Sequence, residues 1–156
     1  MIRVFVVYDT KYGNTKQVAE KIVEGINASG DVETALGYAK EVNPADLANY
    51  DAILIGAPNH MGKPTRTISK FVDELAKLDL KDKQVAVFDT YFQRQRNFEK
   101  AMKKLEKNVS KKLPSWRLLT AGLSIKVTGI NGPITEGELP KCVEFGKKIA
   151  EQLKSQ

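Results

Sequence analysis

The stretch Ile2-Arg3-Val4-Phe5-Val6-Val7-Tyr8-Asp9-Thr10-Lys11-Tyr12-Gly13-Asn14-Thr15 decides how the chain folds. Its first half is a continuous β-branched and aromatic run, the pattern of a strand covered on both faces. Its second half is polar and leads into a helical pattern over residues 14–29. Val18, Ile22 and Ile26 recur there at helical spacing, Ala19 and Val23 lie alongside, and Gly30 closes the segment. A buried strand that turns within a few residues into an amphipathic helix is the opening of a β-α-β unit.

The same alternation runs outward along the chain. Val32–Leu36 is a weaker strand candidate, and Pro44 opens a short helix over residues 44–48. Ala52–Gly56 is a second buried strand, followed by Ile68, Phe71, Val72 and Leu75 on one helical face of residues 65–77. Gln84–Phe88 is a strand, and residues 95–112 carry Phe98, Met102 and Leu105 at helical spacing. Leu118–Val127 reads as a strand interrupted near Ala121-Gly122, and residues 136–154 form a last helix with Leu139, Val143, Ile149 and Leu153. With no Pro/Gly/Ser linker and no internal repeat, one domain over residues 1–156 is expected. Its class is α/β, a doubly wound parallel sheet. Such sheets bind ligands beyond the carboxyl ends of their strands, so the functional residues should follow the strands directly.

Composition narrows the function classes. A chain of 156 residues is long enough for one sizeable core. Its apolar runs are too short to cross a bilayer, so no membrane insertion is expected. The N-terminal run is broken by Arg3 and ends at Asp9 with no small-residue cleavage site, so a cytoplasmic protein is expected. The single cysteine, Cys142, excludes an internal disulfide and a multi-Cys metal site, and its helical position suits a buried small apolar residue. Lys+Arg 25 against Asp+Glu 19 gives a net charge of +6. The lysines are scattered, with the densest group at Lys100 to Lys112 inside an amphipathic pattern. Without a nucleic-acid motif, that pattern reads as a solvated helix face, and no nucleic-acid partner is expected.

The loop Thr10–Thr15 is the first place to look for chemistry. A helix start presents free backbone N–H groups and the positive end of a dipole. Thr10, Asn14 and Thr15 add hydroxyl and amide donors, and Gly13 permits a tight turn beside a ligand. The set suits a phosphate. It lacks both the Gly-Lys-Ser/Thr ending of a P-loop and the Gly-x-Gly-x-x-Gly of dinucleotide sites. The alternative is a plain helix start capped by Asn14 or Thr15. From these residues alone the two readings stand level.

Thr10-x-x-Gly13-Asn14-Thr15 resembles the fingerprint with which flavodoxins wrap the phosphate of FMN. The resemblance extends over essentially the whole chain. It implies a five-stranded flavodoxin-like sheet of order 2-1-3-4-5, FMN as cofactor, and Thr10, Lys11, Tyr12, Gly13, Asn14 and Thr15 around the phosphate. Tyr12 departs from the Thr or Ser of many flavodoxins. It is similar instead to flavodoxin-like quinone reductases and to the flavodoxin domains of A-type flavoproteins.

Two further loops match. Pro58, Asn59, His60, Met61 and Gly62 follow the third strand, where flavodoxins cover the inner face of the flavin ring. The resemblance implies that the Met61 thioether lies against the ring. It also implies that the Gly62 peptide can rotate, so that its carbonyl accepts a hydrogen bond from reduced flavin N5–H. His60 is the only histidine and Lys63 replaces a commonly acidic residue. After the fourth strand come Asp89, Thr90, Tyr91 and Phe92. The resemblance places Tyr91 on the outer ring face, with Phe92 the reserve, and lets Asp89 accept from the pyrimidine edge or ribityl chain. Gly129-Ile130-Asn131-Gly132-Pro133 borders the pocket in this reading without a motif of its own.

Outside these loops the sequence offers no nucleophile with a base, no metal cluster and no acid–base pair of carboxylates. FMN would carry the chemistry. The fifth strand lacks the insertion of long-chain flavodoxins, so the chain resembles a short-chain one. The resemblance implies a low-potential carrier that shuttles single electrons between redox partner proteins. The alternatives are an FMN-dependent NAD(P)H:quinone-type reductase and a cofactor-free module. A monomer is expected, and the positive charge points to acidic partners.

Overall fold

The computed structural model describes residues 1–60, 62–96 and 98–156. Four parallel strands, β1 (Ile2–Tyr8), β2 (Val32–Tyr38), β3 (Ala52–Pro58) and β4 (Gln84–Phe92), pair in the order β2-β1-β3-β4. Two short parallel segments, β5 (Arg117–Leu118) and β6 (Leu123–Val127), share the free edge of β4. The order is the 2-1-3-4-5 expected, with the fifth position divided around Ala121-Gly122.

Strand parity explains why the strands read as unbroken apolar runs. Val4, Val6 and Tyr8 of β1 join Leu54 and Phe88 in a core under α1 (Asn14–Ala28) and α4 (Leu139–Lys154). Val7 joins Ile53, Ile55, Val85 and Val87 in a second core under α2 (Arg66–Lys77) and α3 (Phe98–Lys112). Leu47, on a 3-10 turn over Pro44–Asn49, completes that side. Each face has its own apolar layer because successive side chains point to opposite sides of the sheet.

Two glycines set how close the first pair of helices comes. A Cβ on Gly25 would fall 2.0 Å from the Val143 carbonyl oxygen, and one on Gly146 would fall 2.1 Å from that of Ile22. The backbones of α1 and α4 therefore touch where any side chain would part them. Cys142, beside this seam, is fully buried, and burial followed by the Glu138 charge pushes its thiol up to about 12. It is an inert packing residue at neutral pH.

Helix α3 starts at Phe98, later than the periodicity from residue 95 suggested. Gln95 is instead in a turn, its N–H donating to the Phe92 carbonyl. The register places Tyr8, Pro58, Phe92 and Val127 at a common edge of the sheet. The loops after β1, β3, β4 and β6 converge there.

Candidate functional site

The loop after β1 is folded as an open anion cradle. Asp9 Oδ1 accepts from the Thr10 N–H at 2.9 Å, and Thr10 Oγ1 accepts from the Gly13 N–H at 2.9 Å. Thr10 keeps its own hydroxyl proton for another acceptor. Gly13, at φ 89°, is the N-cap of α1, and no side chain caps that helix. The plain-cap alternative for Asn14 or Thr15 is therefore set aside: Asn14 is the first helical residue, and Thr15 Oγ1 lies 2.9 Å from Thr90 Oγ1 of β4. By contrast, Thr65 caps α2 and Asn43 caps the 3-10 turn with their own side chains. The N-terminal N–H groups of α1 remain free for a ligand.

The loop after β3 is pinned by one amide. Asn59 Oδ1 accepts from the Gly62 N–H at 3.0 Å and from Gln95 Nε2 at 2.7 Å, while Asn59 Nδ2 donates to the Phe98 carbonyl at 3.0 Å. His60 and Lys63 close the turn by exchanging backbone hydrogen bonds of 2.8 and 3.0 Å. Gly62, at φ 84°, has a left-handed backbone that favours glycine. Met61 lies outside the described residues.

After β4, Tyr91 is half-buried and stacks on Phe98, with ring centroids 3.9 Å apart and planes at 9°. Burial, then the nearby Glu138 charge, raises its phenol above the ordinary value, so it stays neutral at physiological pH. Tyr12 is exposed and lies under Lys11, whose Nζ is 5.4 Å from the ring centroid.

A cleft of about 600 Å³ opens between these loops, within the roughly 300–1,000 Å³ usual for cofactor sites. Thr10, Lys11, Tyr12, Asn14 and Thr15 line one end. Pro58, Asn59, His60, Thr90, Tyr91 and Phe92 line the rest. Gly13 and Gly62 shape the loops without forming the wall. Asp89 is also absent from the wall, against the expectation that it meets the flavin. It shares the parity of Val85 and Val87, faces α3 rather than the cleft, and is 2% exposed. Strand alternation alone could have placed it there.

Arg94, Gln95, Val127 and Ile130 line the cleft as well. Ile130 belongs to the segment expected to border the pocket. Gln95 is hidden by a helix read from residue 95, Arg94 falls between that helix and the loop residues singled out after β4, and Val127 carries no polar signal. The wall joins apolar and aromatic groups to a few directed donors, and Tyr12 and Ile130 leave apolar surface exposed at the mouth. Lys11, His60 and Arg94 are cations or potential cations at the wall, with Lys63 and Arg96 exposed nearby in sequence. Among the described residues, Lys11, Lys63, Arg94 and Arg96 make no ion pair.

A doubly wound parallel sheet with a free helix start and an aromatic slot at its carboxyl edge defines the mononucleotide-binding class of α/β proteins. The chain belongs to the flavodoxin family: the flavodoxin-domain model matches residues 5–124. It is 33% identical over 75 residues to a flavodoxin of Aquifex aeolicus, covering 48% of this chain and 40% of that one. It is also 29% identical over 100 residues to an NAD(P)H dehydrogenase (quinone) of Gluconacetobacter diazotrophicus, covering 52% and 50%. These curated relatives are matched over about half their length or less. Among solved structures, a flavodoxin from the domain Archaea superposes with a TM-score of 0.81 at 25% identity, over 98% of this chain and 99% of that one. Flavodoxin 2 of Bacillus cereus gives 0.81 at 26% identity, over 96% and 99%.

Flavodoxin-family proteins bind FMN, and the residues present fit that group. The uncapped start of α1 and the free Thr10 hydroxyl suit its phosphate. The Tyr91 ring, held by Phe98, and the apolar wall suit a flat heterocycle. Among the described residues no helix is long and apolar enough to cross a membrane.

Proposed function

We propose that this chain is an FMN-dependent carrier that passes single electrons between proteins. Residues 1–156 form its one domain. Thr10, Asn14 and the first N–H groups of α1 hold the phosphate, while Pro58, Asn59, Tyr91 and Phe92 border the ring. Bound FMN supplies the one-electron chemistry, and the protein supplies orientation and electrostatics. The observation that carries this reading is the set of three loops, after β1, β3 and β4, meeting in one open cleft of cofactor size. Near full-length agreement with short flavodoxins supports it.

Lys11 and Arg94 at the cleft wall, with no ion pair among the described residues, support acidic partners. Lys11 and Arg94 would steer such a partner to the cleft, so electron transfer should slow as salt rises. A salt-independent rate would refute that choice of partner.

A reductase using NAD(P)H and a quinone is the second reading, favoured by the similarity to quinone dehydrogenases and by Tyr12. Anaerobic titration of the FMN-loaded protein separates the two. Two resolved one-electron potentials, with no bleaching by NADH or NADPH alone, support the carrier. Rapid bleaching by a nicotinamide nucleotide with turnover on a quinone supports the reductase and overturns the carrier.

A further inference from the structure

Asp89 is a buried ionisable group that lies outside the cleft wall. Neither of its carboxylate oxygens has a hydrogen-bond partner of normal geometry. An unpaired buried carboxylate is costly, and such a group ordinarily resolves the cost by taking a proton. Two neutral side chains stand beside it: Ser124, its register partner on β6, and Asn59 from the loop after β3. Asn59 also lines the cleft, so one amide separates the buried carboxyl from the site. Phe98 uses one of the two Asn59 amide hydrogens, which leaves the other free.

We propose that Asp89 takes up a proton at its buried carboxylate when negative charge enters the cleft, and releases it when that charge leaves. The proposal rests on the electron-carrier reading. A reduced partner protein delivers the second electron to a bound flavin that already carries its N5 proton, solvent delivers one proton to an Asp89 Oδ, and no other bond changes. Added negative charge in a low-dielectric site favours the neutral carboxylic acid.

The surroundings suit the task. Burial pushes the Asp89 carboxyl up to about 7, with Ser124 and Asn59 pulling it down only in part. It is therefore poised to exchange a proton near neutral pH. The titratable neighbour on its own strand is Tyr91, whose ionisation is coupled to Asp89. Glu99 of α3 and Glu138 before α4 also act on Tyr91, and both oppose further negative charge. The loop after β3 contributes neutral Asn59, with exposed His60 and Lys63 beyond it, and β6 contributes neutral Ser124. Among the described residues no cation contributes to holding Asp89 ionised.

The test is carboxyl 13C NMR on protein labelled at aspartate, titrated without FMN, with oxidised FMN and with reduced FMN. The expected Asp89 midpoint lies near neutral pH without FMN and with oxidised FMN. It rises on reduction by at least about half a unit, roughly a threefold gain in proton affinity. In parallel, the potential of the second one-electron step in wild-type protein should fall with rising pH between the two midpoints, and that dependence should vanish in Asp89→Asn. A midpoint that stays put while bound FMN is reduced overturns the proposal. So does a pH dependence retained in folded, FMN-loaded Asp89→Asn. Failure of the protein to take up FMN overturns the carrier reading, and this proposal with it.

Discussion

Tyr91 of β4 and Phe98 at the start of α3 lie face to face, with ring centroids 3.9 Å apart and planes only 9° from parallel. Tyr91 lines the cleft and Phe98 does not. The helix start thus holds the cleft-lining ring from behind. A stacked pair of this kind contributes about 0.5–1.5 kcal/mol.

Phe98→Ala should therefore weaken FMN binding by about two- to twelvefold, because the binding energy must then also order Tyr91. Quenching of FMN fluorescence during titration gives the affinity directly. An unchanged dissociation constant in a folded Phe98→Ala protein would show that the stack has no part in preparing the site.

Asn59 ties together three separate segments. Its side chain bonds the Gly62 N–H, Gln95 and the Phe98 carbonyl. Asn59→Ala leaves those groups without their partner and should destabilise the FMN-free protein by about 1–3 kcal/mol. Both loops should loosen together. Urea denaturation measures the first effect, and amide exchange at Gly62 and Gln95 the second. Loss of protection at Gly62 alone would contradict the three-way tie.

The packing of α4 on α1 predicts a different kind of sensitivity. The added Cβ of Gly146→Ala would lie 2.1 Å from the Ile22 carbonyl oxygen, which forces the helices apart. Overpacking of this sort costs about 1–3 kcal/mol. Because the seam lies away from the cleft wall, the affinity for FMN per folded molecule should hold. A lowered urea midpoint with unchanged FMN affinity is the expected pair of results, and an unchanged midpoint would sink the packing argument.

These features differ in how far the sequence foretold them. The apolar runs of β1, β3 and β4 needed no partner to be read, since double burial removes polar alternation. The cradle after β1 was legible as a helix start, but the absence of a capping side chain at Gly13 was not. The Asn59 tie joins residues 36 and 39 positions apart, and nothing local marks such a contact. The Gly25 and Gly146 approach is hidden for the same reason: a glycine inside a helix looks only like a weak helix former. Asp89 was different. Its parity with Val85 and Val87 was available in the sequence, yet its place in a flavin loop suggested contact with the flavin instead.

That buried carboxyl gives a stability prediction with a definite sign. The folded-state pKa of Asp89 is raised from 3.8 to about 7, chiefly by burial. Below the unfolded value both states are protonated and the group exerts no pH-dependent penalty. Between about pH 4 and pH 7 the unfolded chain loses this proton while the folded protein keeps it, so stability falls as pH rises. Above about 7 both states are ionised and the penalty is constant. Linkage puts the full span on the order of 4 kcal/mol. Asp89→Asn keeps the shape and removes the titration, so the difference in unfolding free energy between variant and wild type should grow across this window in favour of the variant. Urea denaturation of both FMN-free proteins at a series of pH values measures that difference. A gap that stays constant from pH 4 to pH 8 would mean that Asp89 is not held protonated in the folded protein.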